Sequence, residues 1–292
     1  MSGNNLRKLT TAALGGTLVG VGGLIYAREV ETRWLEVRPV TLTLPRLAPE
    51  FDGYRVVQIG DIHLEDWTKP RRLNRIVDLI NEQRADLIAI TGDFMSYSAD
   101  PGVPRRLAEA LSKLKTSDGV IAVMGNHDYL TDVETVRRCL REAGVPELRN
   151  DVRTLSRGDA VLHFSGVDDV MEGLSRLDLV LEKLPEDGAA ILLAHEPDFA
   201  DVSAATGRID LQLSGHSHGG QVRMPFWGPV FLLPFSQRYD SGLYEVGDML
   251  QYTNRGLGFV DARLRFLCRP EITVLTLKSV GRDGKEPSLP VL

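Results

Sequence analysis

The sequence is short of the residues that mark several protein classes. It has two cysteines, Cys139 and Cys268, far apart and in no CxxC spacing. That excludes a zinc knuckle and a disulfide framework and leaves two buried thiols. No long basic run is present and the formal net charge is −6, which argues against nucleic acid as a main partner. Internal repeats and low-complexity blocks are absent. Histidine is also scarce, with six residues in 292, so where they fall is informative. What is plentiful is core: 43% of residues are hydrophobic and 25% charged, enough for one large globular domain.

The one long uncharged run is Leu9 to Ala27, preceded by Arg7 and Lys8. As a helix it would rise about 28 Å, near the roughly 30 Å hydrocarbon thickness. A membrane anchor, a cleaved signal peptide and a core helix compete, and the length and basic flank match the first two. The anchor is preferred because Ile25-Tyr26-Ala27 is a poor small-x-small cleavage site. The expected layout is residues 1–27 as tail and transmembrane helix, 28–50 as an extended linker broken by prolines, 51–280 as the catalytic domain, and 281–292 as a flexible tail. Lys and Arg counts around the span lean toward a cytoplasmic body on a bacterial inner membrane.

Within the body, apolar runs at Tyr54–Ile59, Asp86–Ile90 and Val120–Met124 read as strands. Between them, Leu73, Ile76, Val77 and Ile80, then Leu107, Leu111 and Leu114, form helical stripes. A β-α-β-α-β rhythm implies parallel strands with right-handed crossovers. Strands Ala160–Phe164, Ala189–Leu193 and Ile209–Leu213 follow, with short strands at Leu243–Val246, Met249–Thr253 and Ile272–Leu277 expected as hairpins of a second sheet.

Five strands end in metal-capable residues: Asp61 with His63; Asp93; Asn126 with His127; His195; His216 with His218. Five of the six histidines therefore sit where open α/β sheets place their ligands. Histidine, carboxylate and amide oxygen without thiolate suit manganese, iron or zinc. Two such ions about 3.5–4 Å apart acidify water and clamp a phosphate. The sixth, His163, reads as a packed core histidine, Asp128 as a loop brace, and Asp168-Asp169 as a turn. Gln221 and Arg223 could reach substrate or simply edge a strand. Phe226, Trp227, Phe231 and Phe235 are either core or an exposed patch that admits an acyl chain or dips into a membrane.

Asp61-x-His63, Gly92-Asp93, Gly125-Asn126-His127-Asp128, His195 and Gly215-His216-Ser217-His218, in that order, resemble the signature of the calcineurin-like metallophosphoesterases. Gly215–Pro225, Asn254–Gly258 and Arg265–Glu271 resemble a membrane-associated bacterial branch. That branch includes exported phosphodiesterases and UDP-2,3-diacylglucosamine pyrophosphatases. The resemblance implies a four-layer α/β/β/α sandwich and dimetal hydrolysis of a phosphodiester or pyrophosphate. It implies that Asp61, His63, Asp93 and His218 hold one metal ion and Asp93, Asn126, His195 and His216 the other, manganese first and iron or zinc next. His127 would face substrate as the catalytic histidine. Lipid-linked or nucleotide-sugar phosphoesters are the implied substrates.

Overall fold

The computed structural model describes residues 20–66 and 68–280. In chain order its strands are β1 (Glu36–Leu44), β2 (Arg55–Ile59), β3 (Leu87–Thr91), β4 (Val120–Val123), β5 (Asp151–Arg157), β6 (Ala160–Gly166), β7 (Ala189–Leu193), β8 (Leu211–Ser214), the short pair β9 (Arg223–Met224) and β10 (Gly228–Pro229), β11 (Gly242–Val246), β12 (Met249–Thr253) and β13 (Glu271–Ser279). The α-helices are α1 (Pro70–Glu82), α2 (Val103–Leu111), α3 (Asn126–Thr131), α4 (Val133–Ala143), α5 (Leu177–Lys183) and α6 (Ala200–Ala204).

The strands form two mixed sheets, β1-β13-β2-β3-β4 and β11-β12-β8-β7-β6-β5. In the first, β2, β3 and β4 are parallel, as the β-α-β-α-β rhythm requires. The sheets pack face to face. Leu87, Ala89, Ile121 and Val123 meet Leu162, Phe164, Ile191 and Leu213 in one buried cluster. Alternate residues of the first sheet, Val57, Ile59, Ile88 and Ile90, turn outward against Leu73, Ile76, Val77 and Ile80 of α1 and Leu107 of α2. On the far side Ala190 and Leu192 pack against Val180 of α5 and Ala200 of α6. Strands covered on both faces are apolar throughout, which is why the runs in the sequence are continuous. The helices stop where their chemistry says: Asp132 caps α4 by accepting from the Thr135 amide, and Gly144, at φ 70°, ends it in the left-handed conformation.

Two expectations are corrected. The stretch 28–50 is not an extended linker: it contains β1, which pairs in parallel with β13 from Glu36 to Leu44. Leu42, Leu44 and Leu47 are buried in the inter-sheet cluster. Residues 26–33 also dock on the body: Tyr26 stacks edge-on to Phe266 at 6.4 Å, and the Arg265 amide donates to the Ala27 carbonyl at 3.0 Å. The run at Ile272–Leu277 does not join the second sheet. As part of β13 it lies between β1 and β2 in the first, because both its faces are apolar and only a central strand covers both. The expected anchor lies mostly outside the described residues, as does the tail 281–292; among the described residues no helix is long and apolar enough to cross a membrane.

Candidate metal centre

The carboxyl ends of β2, β3 and β4 in one sheet and β7 and β8 in the other meet along one edge of the sandwich. The loops leaving them carry all the metal-capable residues singled out in the sequence. The turns are sharp. Asp61 (φ 46°), His63 (43°), Asp93 (56°), His216 (65°) and His218 (51°) all hold left-handed backbone. Non-glycine residues pay about 1–2 kcal/mol each for that conformation and keep it only where the surroundings enforce it. Two glycines leave the carboxylates room. A Cβ on Gly215 would stand 2.2 Å from Asp61 Oδ2, and one on Gly125 would stand 2.3 Å from Asp93 Oδ1.

Asp61, His63 and His218 form one buried triad, with His218 Nε2 at 3.4 Å from Asp61 Oδ1 and 3.0 Å from His63 Nε2. Asp61, Asp93 and His195 form a second. Asp93 Oδ2 links the two, 3.3 Å from His63 Nε2 and 3.2 Å from His195 Nε2, and with His63 and His127 makes a third such group. Beside the second triad, His216 Nδ1 lies 3.1 Å from Asn126 Oδ1, and the His195 and His216 rings are 5.0 Å apart. The structure thus brings together all seven residues expected as ligands. His127 is at the rim, half-buried, its ring 4.8 Å from that of His63 and its amide donating to Asp93 Oδ1 at 2.9 Å.

The outer atoms of the rings are already committed. His195 Nδ1 donates to the Thr91 carbonyl at 2.6 Å, His216 Nε2 donates to the Pro234 carbonyl at 2.9 Å, and His63 Nδ1 shares a hydrogen bond with Ser96 Oγ at 2.8 Å. With Nδ1 of His195 donating, its Nε2 presents a lone pair to Asp93 Oδ2. Asp61 Oδ2 and His195 Nε2 are buried and have no hydrogen-bond partner. Lone pairs that face each other in a dry site need a cation between them. The arrangement fits a binuclear site of divalent ions.

A proton on His195 Nε2 meets the same need where no metal ion is bound, and the local field shows that competition. Burial pushes Asp61 up to about 6 against the pull of His195. Asp93 resists the same burial because His195 and His63 hold it well below the usual carboxylate range. The same contacts raise His63 and carry His195 well above an ordinary histidine, despite burial. His218 is driven well below by burial and by its cationic neighbours His63 and Arg265. His127 is lowered, chiefly by burial.

The bracing residues were partly legible. Asp128 is the expected loop brace: its carboxylate accepts from the amides of Asp93, Phe94 and Gly125 at 3.0, 2.8 and 3.0 Å. His163 is the expected core histidine, bonded to Thr154 and the Asp187 carbonyl. Asp168 accepts from Tyr129 and Arg149 away from the cluster. Gln221 ties down the 260–262 loop through Val260 and Ala262, and Arg223 pairs with Asp240. Sequence reasoning gave Arg265 and the glycines of the 256–258 loop no role in the site. Gly258 N donates to the Asp61 carbonyl at 2.7 Å, and fully buried Arg265 donates to the Gly258 carbonyl at 2.7 Å and lies 3.4 Å from His218 Nδ1. The dense glycine run Asn254–Gly258 was the available signal. Phe226, Trp227, Phe231 and Phe235 are exposed, which settles their two readings in favour of a surface patch.

Residues 54–220 match the calcineurin-like phosphoesterase family. The chain is 37% identical over 278 residues to the uncharacterized metallophosphoesterase YkuE of Bacillus subtilis, covering 94% of this chain and 97% of that one. It is 29% identical to the phosphodiesterase YaeI of Escherichia coli, over 93% of this chain and 98% of that one. A zebrafish (Danio rerio) transmembrane protein with metallophosphoesterase domain is 29% identical over 95% of this chain, which spans 64% of that longer protein. With its ordered strand-end histidines and carboxylates and its two-sheet frame, this chain belongs to the calcineurin-like phosphoesterases, a family of phosphoric ester hydrolases.

Proposed function

We propose that the chain hydrolyses phosphodiesters or a pyrophosphate linkage, using two divalent metal ions, manganese before iron or zinc. The observation that carries this reading is Asp93 Oδ2, within 3.3 Å of His63 Nε2 and 3.2 Å of His195 Nε2 and so shared by neighbouring groups of metal-capable side chains. Asp61, His63, Asp93 and His218 would hold one ion, and Asp93, Asn126, His195 and His216 the other. When bound, such a pair lowers the pKa of water and offsets the charge of a phosphate. The protein's own residues do the rest. Asn126 offers a neutral oxygen and so adds no negative charge beside an incoming phosphate. His127, outside both ligand sets, faces the phosphoryl group and serves the leaving oxygen as a proton donor or stabilises its charge. The name of YaeI, a phosphodiesterase, favours diesters over monoesters. The test is turnover of bis(p-nitrophenyl) phosphate by purified, manganese-loaded protein. Metal-dependent hydrolysis is expected; none at any divalent metal would leave a binding scaffold.

A narrower reading has one observation in its favour. A cavity of about 320 Å³ opens beside His218, walled by Val222, Val230, Phe231 and Leu233, next to the exposed Phe226 and Trp227. An acyl chain fits such a wall, and the 9–27 run would tether the body to a membrane. The substrate is then UDP-2,3-diacylglucosamine, cleaved to lipid X and UMP. Since the nucleotide is cytoplasmic, a reporter fused after Leu292 and active only outside the cytoplasm would rule this out.

A further inference from the structure

We propose that the chain has a second binding site, for a phosphate-bearing anion, in the cavity between its N-terminal segment and the first turn of α1. The cavity measures about 400 Å³ and among the described residues is lined by Arg33, Lys69, Arg71, Arg72, Arg75 and Arg263 together with Leu35. In a chain of net charge −6, six cations around one cavity are a costly concentration of like charge.

The fold offsets part of it. Glu29 pairs with Arg33 and comes within 4.0 Å of Arg263. Arg72 donates to two backbone carbonyls, of Thr32 at 2.9 Å and Leu257 at 3.0 Å, neither of which carries charge. Lys69, Arg71 and Arg75 are exposed. Helix α1 adds to the field. Its N-terminus, at Lys69 and Pro70, has no side-chain cap and no acidic residue in its first turn, so the positive end of the helix dipole is uncompensated there. Burial first, then Arg265, Arg263, Arg33 and Arg75, pull Arg72 down to about 10.

An oxyanion relieves all of this at once. Planar guanidiniums present paired N–H donors that match phosphate geometry. The site is separate from the metal centre. Arg72 borders that centre through Leu257, whose amide donates to the Gly60 carbonyl at 3.1 Å, and through the Phe259 ring, which it shares with Arg265. Phosphate could come from a free anion or from a phospholipid headgroup. Exposed Val21, Leu24, Ile25 and Val30 precede Arg33 and make the headgroup the source to test first.

The test uses the full, metal-loaded chain and its Lys69→Gln/Arg71→Gln/Arg75→Gln variant, with circular dichroism to check the fold. In one arm each partitions onto sucrose-loaded vesicles of phosphatidylcholine with or without phosphatidylglycerol. In the other, inorganic phosphate is titrated calorimetrically. Wild type is expected to bind phosphate at two sites and the variant at one. If the headgroup is the ligand, the phosphatidylglycerol-dependent gain falls about a hundredfold in the variant. Loss of the second phosphate event with vesicle binding unchanged assigns the site to a soluble anion. Equal isotherms and equal partitioning for the two proteins overturn the proposal. Should the triple variant misfold, Arg75→Glu decides by the same readouts.

Discussion

At the scale of single residues, Asn126 and His127 are chain neighbours for which we propose separate tasks. Asn126 Oδ1 points at His216, whereas His127 stands at the rim beside His63. His127→Ala should keep its metal and lose rate by about 10²–10⁴-fold, the usual worth of a general acid. Asn126→Ala should lower metal content first. Metal analysis of the two purified variants alongside turnover separates the roles, and metal loss in His127→Ala would make it a ligand. A second residue governs stability. Asp169 is buried beside Glu196, and burial followed by that neighbouring carboxylate pushes it up to about 8. A carboxyl raised on folding contributes stability at acid pH, which is lost as pH climbs from the ordinary carboxylate value through the folded one. Thermal stability should therefore fall between pH 4 and about 8. Asp169→Asn, which cannot ionise, should flatten that slope in melting curves taken across the range.

At the scale of elements, the strand-end turns are set by what fits against them. Gly215→Ala would drive a methyl group into Asp61 Oδ2, so the carboxylate must rotate away. Metal affinity should drop by about 10–100-fold, as when a bracing partner of a ligand is lost, with the fold retained by circular dichroism. The residues expected as ligands were legible because strands buried on both faces are apolar from end to end, so their polar ends stand out. β1 was not. Glu36, Arg38, Pro39 and Pro45 mask it, and an edge strand tolerates a proline that a central one rejects. The alternation Val40-Thr-Leu-Thr-Leu44 was the signal, with Leu42 and Leu44 inward. β5 is also an edge strand, polar along most of its length, and nothing in its composition marks it. A chain shortened to begin at Phe51 would lose Leu42, Leu44 and Leu47 from the core and bare the edge of β13. It should be less stable by roughly 5 kcal/mol or more, at about 1.5–3 kcal/mol per buried leucine. Urea unfolding of the two chains measures the difference.

At the scale of the whole molecule, the metal centre is a joint property of both sheets. Asp61, Asp93 and Asn126 come from one, and His195, His216 and His218 from the other. Sequence order reveals which strand ends carry ligands, but not how the two sheets face each other. That is decided by the buried inter-sheet cluster, whose residues are interchangeable as letters. The position of β13 has a consequence for how the protein is made. It lies between β1 and β2, so two of the first strands to leave the ribosome are held apart for one of the last. At about 5–20 residues per second, the nascent chain waits on the order of ten to forty seconds between Ile59 and Ser279. Throughout that interval β2 has an open edge, and its shelter is the business of the cell rather than of the fold.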